Sequence, residues 1–159
     1  MNCPVLNHPL GSLVKDLKAK IKMDTNYTVK DCCLVDVPTF TDERGTISVM
    51  DKELPFAVKR IFWLHHIAEG KDRGAHALLN STEIMVAVHG SFVVDLDDAV
   101  NKTSVLLDSP EKGLVIRPGV WFRTHSYKND GITLVIAEEE YSRDKYTYDY
   151  AEFRQMRGL

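Results

Sequence analysis

The sequence is poor in the features that announce most chemistries. It holds only three cysteines, Cys3, Cys32 and Cys33, an odd set without a Cys-x-x-Cys spacing, so neither a disulfide framework nor a zinc ribbon is supported. Adjacent Cys32 and Cys33 would strain a bridge with each other, and reduced thiols in a cytoplasmic protein are the expectation. No run nears the roughly 20 apolar residues that cross a bilayer, so no membrane role is expected. The opening stretch carries Pro4, His8 and Pro9 instead of a basic start and an apolar run, and a secretory signal is not expected. There is no Gly-rich phosphate loop and no nucleophile elbow, which leaves kinase and hydrolase readings without support. A formal charge of −3 offers no general attraction to nucleic acid or anionic membrane, although local arginines remain able to grip a phosphate.

What is present is ordinary in bulk: 159 residues, 44% hydrophobic and 27% charged, enough for one domain with its own core. Residues 1–31 form a first region. Leu13, Val14, Leu17 and Ile21 recur at helical spacing, with Ser12 placed to cap, so a short helical arm that needs a docking surface is expected. Residues 32–159 read as β. Short β-branched and aromatic runs recur at Thr46–Met50, Val58–Ile67, Glu83–Val88, Phe92–Leu96, Thr103–Leu107, Leu114–Ile116 and Ile132–Ala137. Breakers such as His89-Gly90-Ser91 and Asn129-Asp130-Gly131 separate them. Nothing alternates strand with helix, so the pattern predicts an all-β jelly-roll, sandwich or open barrel, closed by a short C-terminal helix within Thr147–Arg157.

The chemistry concentrates in Arg73-Gly74-Ala75-His76-Ala77-Leu78, followed by Glu83 and Gly90. The run resembles the metal-binding cupin pattern His-x-His-(x)4-Glu-(x)6-Gly at every spacing, with Leu78 at the second His. The second cupin motif corresponds to Pro118-Gly119-Val120-Trp121-Phe122, with Phe122 at its His. Hydrocarbon cannot replace imidazole nitrogen, and His125 is three residues off, so no metal is expected. His76 remains a candidate general base, with Arg73 beside it and Gly74 allowing close backbone approach. In the run Val58–Ile67, strict alternation puts Arg60, Phe62, Leu64 and His66 on one face and Lys59, Ile61, Trp63 and His65 on the other; His65 and His66 read as surface residues. Trp121, Arg123, His125 and Tyr127 alternate as a polar-aromatic stripe suited to stacking on a base or sugar and holding a diphosphate.

In this order, Asp42-Glu43-Arg44-Gly45-Thr46-Ile47, Leu54–Ile61, Arg73–Ala77, Leu107-Asp108-Ser109-Pro110, Gly113-Leu114 and Pro118–Trp121 resemble the dTDP-sugar 3,4-ketoisomerases over roughly residues 34 to 155. The dTDP-4-dehydrorhamnose 3,5-epimerases are similar more distantly. The resemblance implies a homodimeric cupin that moves a ketone from C4 to C3 of a dTDP-4-keto-6-deoxyhexose without a cofactor. It implies His76 as the base and Arg44 and Arg73 near the diphosphate; Arg60, Glu83, Trp121, Arg123 and His125 complete the expected substrate-binding set. The chain departs from that family at Leu78, at Phe122, and at Phe62-Trp63, where tyrosine is usual. Two alternatives therefore stand beside the isomerase: a catalytically impaired cupin that binds a nucleotide-sugar or a partner, and an epimerase-like activity.

Overall fold

A computed structural model describes residues 23, 26–52 and 54–159. The helical pattern Leu13–Ile21 lies outside them. What is described of the first region is docked on the body. A 3-10 turn at Val29–Asp31 is held by a reciprocal capping box between Thr28 and Asp31. Val29 is buried in the main core, and its N–H donates to Asp98 Oδ2 at 3.0 Å.

Among the described residues ten strands follow: β1 (Leu34–Asp36), β2 (Thr39–Asp42), β3 (Gly45–Ser48), β4 (Arg60–Leu64), β5 (Arg73–Leu78), β6 (Glu83–Asp97), β7 (Lys102–Leu107), β8 (Lys112–Ile116), β9 (Trp121–Ala137) and β10 (Tyr146–Thr147). One short helix, α1 (Tyr150–Met156), closes the chain, its amide groups capped by the Asp149 carboxylate. Eight strands form one antiparallel, curled sheet in which β1, β8, β6, β9, β5 and β10 are successive neighbours, β4 also pairs with β9, and β7 also pairs with β6. β2 and β3 make a separate hairpin. This is the jelly-roll that the alternating pattern predicts.

The sequence reading splits β6 and β9 each into shorter pieces, and the structure joins them. His89-Gly90-Ser91 and Asn129-Asp130-Gly131 bend the strands instead of ending them. The register between β6 and β9 shifts repeatedly from Ala87 to Val93. Asn129 and Asp130 both sit at φ 52 and Gly90 at φ 60, so the extra residues are absorbed as bulges that sharpen the bend. A Cβ on Gly90 would lie 2.4 Å from the Lys128 carbonyl oxygen, which is why only glycine fits there.

Bending carries each long strand from one layer to the other. The first half of β6 then pairs with β8 and the second with β7; the first half of β9 pairs with β5 and the second with β4. Inward residues such as Met85, Phe92, Val94, Leu114, Phe122 and Val135 fill the interior. On the outer face Ile84, Val86, Val115 and Ile136 are covered by Met50, Leu54 and Phe56. Phe153 anchors α1 against Ala77 and Leu79; burying such a ring contributes about 1.5–3 kcal/mol.

Candidate active site

One end of the interior stays open as a cavity of about 430 Å³, within the usual range for small-molecule sites. Its walls follow from strand parity. β4 contributes Arg60, Phe62 and Leu64, β6 contributes Glu83 and Met85, and β9 contributes Phe122, Thr124 and Val135. Ile61 and Trp63, the alternate residues of β4, are exposed on the outside, so of the Phe62-Trp63 pair only Phe62 faces the site.

β5 supplies both Arg73 and His76. Residues three apart on a regular strand face opposite ways, and a bulge resolves the conflict. Gly74 pairs with Arg123 and His76 with Phe122, leaving Ala75 as the extra residue, with Gly74 at φ 83 and Ala75 at φ 55. Gly74 is also the close-approach point, because a Cβ there would come within 3.2 Å of Phe122.

His76 stands in an aromatic collar. Phe122 and Tyr146 meet it edge-on at 4.6 and 5.1 Å between ring centroids, and Tyr148 lies tilted at 5.3 Å. Burial pulls its pKa down to about 4, with the Arg60 charge adding to the fall and a hydrogen bond to the Gly74 backbone opposing it. The ring is therefore neutral throughout the physiological range, with a lone pair to offer. Leu78 does not crowd it: that side chain sinks into the core beside Met85 and Val120. Phe122 occupies wall, not void.

Glu83 is almost fully buried, and its carboxylate is 3.5 Å from Arg60 Nη2. Desolvation outweighs the pull of that guanidinium and pushes the carboxyl up to about 7. Arg60 also lies over the Phe62 ring at 4.2 Å and the Tyr141 ring at 5.5 Å and acts on the Tyr146 phenol, opposing the rise in its pKa that burial causes. The cavity thus holds a fixed positive charge, a carboxyl poised to titrate and a neutral imidazole. Among the described residues no group of three or more His, Cys, Asp or Glu side chains is placed to hold a metal ion.

The structure brings His76, Arg60, Arg73 and Glu83 together and places the other expected site residues elsewhere. Trp121 packs outside the cavity, 5.2 Å from Tyr150 and 5.5 Å from Phe153. Arg123 and His125 point outward to Asp95, at 2.7 and 3.1 Å. The stripe ends there: Ser126, at φ 54, breaks the alternation, and Tyr127 turns inward to stack on Phe92. Arg44 sits at the tip of the separate hairpin, exposed and bound to Asp42. His65 and His66 lie beyond the end of β4, where the φ of 52 at His66 breaks alternation and lets their Nδ1 atoms meet at 3.1 Å.

Sequence reasoning overlooked the tyrosines. Tyr141, Tyr146 and Tyr148 line the cavity, with Tyr146 and Tyr148 stacked at 5.8 Å. Tyr148 falls at the start of the segment Thr147–Arg157 that reads as the closing helix, but β10 precedes that helix and hydrogen-bonds to β5. The period-two spacing Tyr146-x-Tyr148 was the available signal.

A curled antiparallel sheet with an open-ended polar-aromatic cavity at one end defines a cupin-type small-molecule site. Residues 30–158 match the family described as FdtA: WxcM-like, C-terminal, and the chain belongs to it. A TDP-4-oxo-6-deoxy-alpha-D-glucose-3,4-oxoisomerase from Aneurinibacillus thermoaerophilus is 29% identical over 124 residues, covering 77% of this chain and 89% of that protein. Among solved structures, WlaRA, a TDP-fucose-3,4-ketoisomerase from Campylobacter jejuni, is 30% identical with a TM-score of 0.75, covering 80% of this chain and 96% of the other. A 3,4-ketoisomerase from Helicobacter canadensis is 29% identical with a TM-score of 0.78, covering 81% and 98%.

Proposed function

We propose that the chain is a 3,4-ketoisomerase of a dTDP-4-keto-6-deoxyhexose, with His76 transferring the carbon-bound proton. The observation that carries this is the half-buried, neutral His76 imidazole facing the same cavity as Arg60 and Glu83. The C4 ketone acidifies the C3 proton; His76 removes it, an enediol forms, and the proton returns at C4. Arg60 supplies a positive charge already in place where enediolate charge develops. Arg73, exposed at the mouth of the cavity, suits the diphosphate. No step in this scheme calls for a metal or organic cofactor.

The assay is incubation with dTDP-4-keto-6-deoxyglucose in deuterium oxide, followed by NMR. A 3-keto product with deuterium introduced from solvent is expected. Exchange at C5 without a ketone shift would instead identify an epimerase. Saturable dTDP binding with no exchange would identify a binding cupin, the reading that Phe122 and Leu78 favour by leaving the cavity lining with a single imidazole, that of His76.

We also propose a homodimer working in the cytoplasm. Ile61 and Trp63 on β4 and Phe40 and Ile47 on the hairpin expose large apolar side chains, and Cys32 and Cys33 are free thiols. Among the described residues no helix is long and apolar enough to cross a membrane. Light scattering on the purified full chain gives the mass that tests the dimer.

A further inference from the structure

Moving a ketone between neighbouring carbons requires two kinds of proton transfer. A carbon-bound proton leaves C3 and one arrives at C4, while an oxygen-bound proton leaves O3 and one arrives at O4. An imidazole can serve the carbons in turn. The oxygens need a group that both donates and accepts, and β5, with Leu78 at its second motif position, has no other titratable side chain in the cavity except Arg73.

The remaining lining groups narrow quickly. Arg60 and Arg73 do not release protons. Glu83 can titrate but is only 2% exposed, 3.5 Å from Arg60, and Tyr146, only 6% exposed, is also engaged by Arg60. The Thr124 hydroxyl is tied to Tyr127 at 2.8 Å. Tyr141 lies against Arg60 and Tyr146. Tyr148 interacts with Tyr141 and stacks on Tyr146, but differs in its place beside the base. β10 pairs with β5 so that Tyr146 faces Leu78 and Thr147 faces Ala77; carried on by one step, that register sets Tyr148 opposite His76, in keeping with their ring separation of 5.3 Å. It lines the cavity and is 47% exposed, which leaves its phenol reachable by a ligand.

Resting on the ketoisomerase reading, we propose that Tyr148 is the second catalytic residue, passing protons between the two sugar oxygens while His76 serves the two carbons. The steps balance. His76 takes the proton from C3, the C3–H electron pair forms the C3–C4 double bond, and the carbonyl pair moves onto O4. The Tyr148 phenol gives its proton to O4, and the resulting phenolate takes the proton from O3. The O3 pair closes the new C3 carbonyl, and C4 takes the proton back from the imidazolium. Both side chains end as they began, with no oxidant or reductant consumed. Burial and the neighbouring Tyr141 push the phenol of Tyr148 up to about 12, so it is protonated and ready to donate in the resting site.

The test is Tyr148→Phe in the full chain, with dTDP-4-keto-6-deoxyglucose in deuterium oxide. C3 deuteration, which needs only His76, stays readily measurable. The ketone shift falls on the order of 10²-fold, as for loss of a positioned acid or base, with KM changed less than about threefold. Turnover within about threefold of the wild type overturns the proposal, as does a loss carried mainly by KM. Exchange and shift falling together also overturn it, because Tyr148 would then be supporting His76. If the wild-type chain neither exchanges nor shifts, the ketoisomerase reading fails and this proposal with it, an outcome separate from a defect confined to the variant.

Discussion

His76 and Glu83 face one cavity with their titrations displaced in opposite directions, the imidazole down to about 4 and the carboxyl up to about 7. Desolvation is the leading cause at both, since it penalises whichever form carries charge. The imidazole favours folding above its unfolded pKa of 6.5 and loses that contribution as pH falls toward 4. The carboxyl favours folding below its unfolded pKa of 4.5 and loses that contribution as pH rises toward 7. Each displacement corresponds to something on the order of 3 kcal/mol, and across the shared window they offset each other. Wild-type stability should therefore vary little between about pH 4.5 and 6.5. Glu83→Gln should gain stability as pH rises through that window, and His76→Asn should lose it. Urea denaturation at several pH values measures both slopes; parallel slopes in the two variants would contradict the assignment.

Turnover should follow the imidazole. His76→Asn removes the base and is expected to lower kcat by ~10²–10⁴-fold while saturable dTDP binding persists. Because the base form is retained down to about pH 4, wild-type kcat should not show the fall near pH 6.5 expected of an unperturbed histidine. A pH–rate profile checks this directly.

The outward stripe of β9 offers a contrast. Arg123 and Asp95 are both partly exposed and 2.7 Å apart, and Asp95 is held down to about 2 because hydrogen bonds from Arg123, Ser104 and His125 outweigh its desolvation. Arg123→Ala should leave kcat/KM within about threefold and cost no more than about 1 kcal/mol, as for a surface ion pair. A large rise in KM would show that this face reaches the substrate.

Gly90→Ala puts a methyl group at φ 60 against the Lys128 and Asn129 carbonyl oxygens. Strain of this kind costs about 1–3 kcal/mol before the clash is counted, so a drop in Tm of roughly 5 °C or more is expected for a chain of this size. Calorimetry or a thermal melt decides it.

These outcomes bear on what the sequence makes legible. Alternation located most strands, since one face of each is buried, and Arg60, Phe62 and Leu64 were grouped on one side as the structure has them. Motif spacing brought Arg73, His76 and Glu83 forward. Three things were hidden. Glycine, asparagine and aspartate read as turn residues, yet at 89–91 and 129–131 they accommodate bulges inside continuous strands, because the positive φ that suits a turn also suits a bulge. The inward face of β9 was also hidden. Phe122 and Thr124 are buried, so their neighbours Trp121 and Arg123 turn outward, however well their chemistry suits a nucleotide. Tyr146 and Tyr148 were hidden for a third reason: a two-residue strand has too little pattern to stand out beside a helix.

The extra residue in β5 has an evolutionary consequence. Arg73 and His76 share the cavity because three residues, Gly74 to His76, span what β9 spans with two. The phase between these side chains is thus set by the backbone at positions 74 and 75 and not by their spacing in the sequence. Deleting Ala75 would leave Arg73 and His76 two residues apart, still in phase on an even strand, whereas flattening the bulge at its full length would turn them to opposite sides. Evolution can therefore lose a codon here and keep the pair together, while substitutions that disfavour the positive φ of Gly74 and Ala75 are the ones that would part them.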